Sequence, residues 1–105
     1  MNEKISEMNA RIEAFVKQYP MLRFQVNKGE RYRITRSGIR RGSLWVEARS
    51  KTNRYFVTPT GEVADEVSDF LLNSFGGETS KDYRGRSWHV SEIGVSKIIQ
   101  RFAER

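Results

Sequence analysis

Apolar residues recur along this chain at two different periods, and the switches between them mark out its elements. Ile5, Met8, Ile12, Phe15, Val16 and Tyr19 fall at helical spacing with Glu3, Glu7, Glu13 and Lys17 on the opposite side, which predicts an amphipathic helix over 3–18 that Pro20 closes. From Leu22 the period becomes two. Leu22, Phe24 and Val26 alternate with Arg23 and Gln25, the run Asn27-Lys28-Gly29-Glu30 supplies turn chemistry, and Tyr32 and Ile34 alternate with Arg31, Arg33 and Thr35. Leu44, Val46 and Ala48 alternating with Trp45, Glu47 and Arg49 predict a third strand. After the polar turn Ser50-Lys51-Thr52-Asn53, Arg54 to Thr58 reads as a fourth, with Tyr55 and Val57 facing inward.

The helical period then returns. Val63, Val67, Phe70, Leu71 and Phe75 predict a helix over 62–75. Glu62, Asp65 and Glu66 crowd its first turn, where negative charge complements the helix dipole, and Gly76-Gly77 is the expected stop. Residues 78–86 are polar and glycine-containing and read as a loop. Residues 87–90 read as a short strand, and Ser91 as the N-cap of a last helix reaching 104, with Ile93, Ile98, Ile99 and Phe102 as its buried stripe.

At 105 residues the chain is expected to form one domain, 1–105, around a single core. The element order predicts an α+β fold: a four-stranded antiparallel meander over 22–58, with an N-terminal helix and two C-terminal helices packed on one face. Strand alternation then decides what the other face carries. If the apolar set faces the helices, Arg23, Gln25, Arg31, Arg33, Thr35, Trp45, Glu47, Arg49, Arg54, Phe56 and Thr58 face water.

Charge sharpens this picture. The chain is net +6, yet the segment from Arg23 to Arg54 alone is net +8, while 1–22 is neutral and 55–105 is net −2. Positive charge gathered on one part of a fold sets up a directed field that attracts polyanions. Thirteen of the nineteen cations are Arg, whose planar fork suits phosphate oxygens and stacks on flat rings. The candidate site is therefore a basic sheet face: Arg23, Arg31, Arg33, Arg49 and Arg54 to hold phosphates, Trp45 and Phe56 to stack on unpaired bases. Single-stranded DNA or RNA is the favoured partner. Ser37-Gly38-Ile39-Arg40-Arg41-Gly42 reads either as a flexible prong that would add Arg40 and Arg41 or as an ordinary long hairpin loop with solubilising charges, and Tyr83-Arg84-Gly85-Arg86, similar in composition, either as a second arm or as a disordered surface loop. The same surface suits an acidic protein, and a plain solubilising face is the alternative to both. The last helix is as suited to homodimerisation as to core packing.

Other classes find little support. The chain has no cysteine, so neither a disulfide nor a thiolate metal site exists. Its N-terminus lacks the pattern of a secretory signal and no stretch has the length of a membrane span, so the expected setting is the cytoplasm, with no membrane partner. His89, the one imidazole, reads as a structural, hydrogen-bonded residue. Glu47-Ala48-Arg49 has the acidic-x-basic form of some metal-dependent nucleases, but the strand region offers no aspartate to complete it, and Asp65, Glu66 and Asp69 read as a solvated helix face. Gly76-Gly77-Glu78-Thr79-Ser80 lacks the lysine and spacing of a P-loop. A non-catalytic protein without metal or cofactor is expected.

Phe24 to Gly29, Arg31-Tyr32-Arg33-Ile34, Gly42-Ser43-Leu44-Trp45-Val46 and Thr60-Gly61-Glu62-Val63 together resemble small phage-encoded proteins, over about 40 residues of the chain. The resemblance implies a phage or mobile-element origin, and with it a second class of function: binding a host protein to inhibit or adapt it.

Overall fold

A computed structural model describes residues 3–26, 31–75, 79–82 and 85–104. The expected turn at 27–30, the Gly76-Gly77 helix stop and Tyr83-Arg84 of the second arm lie outside the described residues. The elements are α1 (Glu3–Val16), β1 (Leu22–Val26), β2 (Arg31–Arg36), β3 (Leu44–Arg49), β4 (Arg54–Pro59), α2 (Glu62–Phe75), β5 (Thr79–Asp82), β6 (Gly85–Val90) and α3 (Glu92–Ala103). The α+β class and the antiparallel meander hold. The sheet, however, has six strands rather than four, in the order β1-β2-β3-β4-β6-β5, every neighbour antiparallel. Part of the expected loop at 78–86 is thus strand. β6 extends the sheet from β4 and β5 forms its far edge.

The alternation in the strands sorts their side chains as expected. Leu22, Tyr32, Ile34, Leu44, Val46, Ala48, Tyr55, Val57, Trp88 and Val90 are buried in one cluster with Ile5, Met8, Ile12 and Val16 of α1, Val63, Val67 and Leu71 of α2, and Val95, Ile98, Ile99 and Phe102 of α3. The cross-strand row Tyr32, Val46, Val57, Trp88 shows how consecutive strands present one face to the core. Tyr55 ties α1 to the sheet by donating its hydroxyl to the carbonyl of Met8 at 3.1 Å. Arg11 and Glu92, 2.7 Å apart and both solvent-exposed, link α1 to the first turn of α3. Ser91 caps α3 by accepting a hydrogen bond from the Gly94 amide at 3.1 Å.

Two apolar positions depart from the expected core. Val26, at the end of the edge strand β1, is 71% exposed because β2 covers it on one side only. Ile93 is 69% exposed. At about 100° per residue it sits roughly 140° around the helix from Ile98, and Val95 takes the inward place instead.

The loop between β2 and β3 is pinned to the start of α2. Thr60 donates its amide to the Ser43 carbonyl (2.9 Å), Ser43 donates its amide to Thr60 Oγ1 (3.0 Å), and Glu62 donates its amide to the Arg41 carbonyl (2.9 Å). The Glu62 carboxylate in turn accepts from the Arg40 amide at 3.2 Å. The basic tip is therefore a corner at one end of the sheet, braced against the start of α2 at Arg40, Arg41 and Ser43.

Candidate nucleic-acid interface

The outward positions of the sheet form four rows across the strands, which follow from the register. The first is Arg23 opposite Thr35. The second runs Gln25, Arg33, Trp45, Thr58; the third, Arg31, Glu47, Phe56, His89; the fourth, Arg49 opposite Arg54. Strands lie about 4.8 Å apart and successive rows about 7 Å apart, so the face is a grid of cations with two rings at its centre. Arg23, Arg33, Arg49 and Arg54 are exposed, while Arg31, Trp45 and Phe56 are half-buried. Thr58, expected to face water, is buried beside Trp45, and its hydroxyl oxygen meets that of the likewise buried Ser87 at 2.5 Å.

The rings are not bare. The Arg33 guanidinium lies over Trp45, 5.8 Å from its centroid, and Arg49 lies over Phe56 at 5.2 Å. Neighbours fix both guanidinium planes: Arg33 donates from Nε to Gln25 Oε1 at 3.0 Å, and Arg49 pairs with Glu47 at 3.0 Å. Each ring with its guanidinium makes a two-layer platform whose outer layer is a guanidinium plane, a kind of surface on which unstacked bases are known to stack. Arg49 and Arg54 stand directly opposite one another, an arrangement that like charge disfavours. They part by taking different acceptors, Arg49 the Glu47 carboxylate and Arg54 the carbonyl of His89 at 3.0 Å.

His89 is the residue of this face whose place the local sequence does not give. The alternation of Trp88 and Val90 points it outward, but only the pairing of β6 with β4 sets it beside Phe56, with ring centroids 4.7 Å apart and planes 26° from parallel. Its Nε2 lies 3.1 Å from Thr52 Oγ1. Burial first, then the positive charges of Arg54 and Arg49, hold the imidazole below its ordinary value of 6.5. The fold thus favours neutral His89. As pH falls below about 6.5 the unfolded chain takes up this proton before the folded one, so stability declines until the folded value is passed and then levels off. The melting temperature is expected to fall between pH 7 and pH 5 by less in His89→Gln than in the parent.

Arg40 and Arg41 are exposed at the corner beside Glu62, at the end of the sheet opposite the β3–β4 turn. Among the described residues no group of three or more His, Cys, Asp or Glu side chains is placed to hold a metal ion, and no helix is long and apolar enough to cross a membrane. No family model, curated protein or solved structure matches the chain.

Proposed function

We propose that this protein binds single-stranded nucleic acid, without catalysis, on the open face of its sheet. The observation that carries this reading is the coincidence of five arginines, Arg23, Arg31, Arg33, Arg49 and Arg54, with two half-buried rings on one side of one sheet, two of the guanidiniums laid over those rings. Phosphates meet exposed guanidinium groups and displace counterions, and bases splayed from a single strand stack on the Arg33–Trp45 and Arg49–Phe56 platforms. A duplex keeps its bases stacked internally and gains only the phosphate contacts. The braced Arg40-Arg41 corner extends the basic surface past the end of the sheet.

Titration of a fluorescent oligonucleotide, single- and double-stranded, tests the reading. Trp45→Ala is expected to weaken single-strand binding about tenfold, within the 1–3 kcal/mol of a base–aromatic stack, and to change duplex binding little. Arg33→Ala is expected to weaken both. Equal single-strand curves for Trp45→Ala and the parent would remove the stacking role, and no binding of any nucleic acid at low salt would remove the function, leaving an acidic protein as the partner for this face.

A further inference from the structure

The cations of the open face are not evenly spaced. Arg23, Arg33 and Arg31 stand one to a row, a density suited to phosphodiesters with one charge each. The fourth row holds two, Arg49 and Arg54, and the turn just beyond it adds exposed Lys51. A groove of about 380 Å³ opens at this point, lined by Arg49, Lys51 and Thr52, with Phe56 and Ile5 as apolar walls and His89 at one side. No carboxylate among the described residues lines it. The nearest on the face, Glu47, is already paired with Arg49.

We infer that this groove seats the phosphomonoester end of the bound strand, its terminal base on the Arg49–Phe56 platform and its phosphate at Lys51 and the edge of Arg49, with Arg54 adjoining the groove from the same row. The inference rests on the open face being the nucleic-acid surface and adds which part of the strand lies where. A terminal phosphate carries a charge of about −1.5 to −2 at neutral pH against −1 for an internal one, so it gains most where Lys51 and Arg54 stand beside Arg49, three cations against the single Glu47 carboxylate. The sheet ends there as well. The β3–β4 turn, with Asn53 in the left-handed conformation that asparagine tolerates (φ 57°), closes the hairpin behind the fourth row, where a strand finishing is better accommodated than one passing on.

The test compares one single-stranded oligonucleotide in three forms, 5′-phosphorylated, 3′-phosphorylated and with hydroxyls at both ends, at one ionic strength, on the parent and on Lys51→Ala. A fourth oligonucleotide, one nucleotide longer with hydroxyl ends, controls for added charge. One of the phosphorylated forms is expected to bind about tenfold more tightly than the hydroxyl form, the scale of one charge-assisted phosphate contact, and Lys51→Ala should remove most of that ratio. Which form is preferred gives the polarity of the strand. Arg23→Ala, in the first row, should weaken all forms alike and leave the ratio standing. Equal affinities for all four while each binds would overturn the terminal seat and leave the face reading intact. A preference that survives both Lys51→Ala and Arg54→Ala would overturn it too, since the phosphate would then lie elsewhere. Failure of all four to bind would overturn both.

Discussion

Raising monovalent salt from 50 to 200 mM is expected to weaken single-strand binding by about a hundredfold, with a straight log–log plot of slope about −3.5. This is the slope expected of the proposed binding mode if each of the five arginines of the open face neutralises one phosphate and releases about 0.7 of a counterion from a single strand. Engagement of Arg40 and Arg41 at the braced corner would steepen it towards about −5. Removing one phosphate contact should be visible in the same plot. Arg33→Ala is expected to lower the slope by about 0.7 as well as the affinity, whereas Trp45→Ala should lower the affinity at unchanged slope, because a ring releases no counterions. This separates the two classes of partner that the charge pattern admits. A protein partner held by an interface with an aromatic centre would lose little equilibrium affinity over the same range, since its energy would come from desolvated rings. A slope shallower than about −1.5 would therefore exclude phosphate neutralisation by this face as the main source of binding.

The composition of this face was legible in the sequence because strand alternation is a local property. A period of two sends Arg33, Trp45 and Arg49 to one side as soon as Tyr32, Ile34, Val46 and Ala48 are committed to the other, and no knowledge of pairing is needed. What depends on pairing was not legible. Residues 79–86 have the polar, glycine-containing composition of a loop, and part of that stretch is strand because β4 offers an edge to β6 and β6 offers one to β5. His89 reaches Phe56, and Thr52 reaches His89, only through that same non-local pairing. Ile93 is different, since the sequence contained the correction: Val95, Ile98, Ile99 and Phe102 share a helical face from which position 93 is excluded by its angle. The arginines over the rings escaped the sequence reading for another reason. A guanidinium settles on a ring when its position across the sheet and its other hydrogen bonds both allow it, and the register that places Arg33 opposite Trp45 also places Gln25 opposite Arg33.

Gly42→Ala is expected to be the most damaging single-methyl change outside the core, costing about 3 kcal/mol or more and lowering the melting temperature by about 10–20 °C. Two independent penalties add at this position. The backbone has φ 111°, where an L side chain is strained, and an added Cβ would stand 2.1 Å from the Thr60 carbonyl oxygen and 2.9 Å from the Glu62 amide nitrogen, both backbone atoms that cannot turn aside. To make room, the β2–β3 loop would have to part from Thr60-Gly61-Glu62, losing the bonds that join Ser43 to Thr60 and Arg41 to Glu62. Gly38 isolates the first penalty. It has φ 94° with nothing within 4 Å of an added Cβ, so Gly38→Ala should cost only the backbone strain, about 1–2 kcal/mol. Equal thermal shifts for the two variants would mean that the corner is not braced against α2, and Arg40 and Arg41 would then be free to move as a prong. The expected difference fixes them in place, and it predicts a second reading from the same protein. Gly42→Ala, assayed below its lowered melting temperature, should lose the part of the salt slope that Arg40 and Arg41 supply while keeping the part due to the open face.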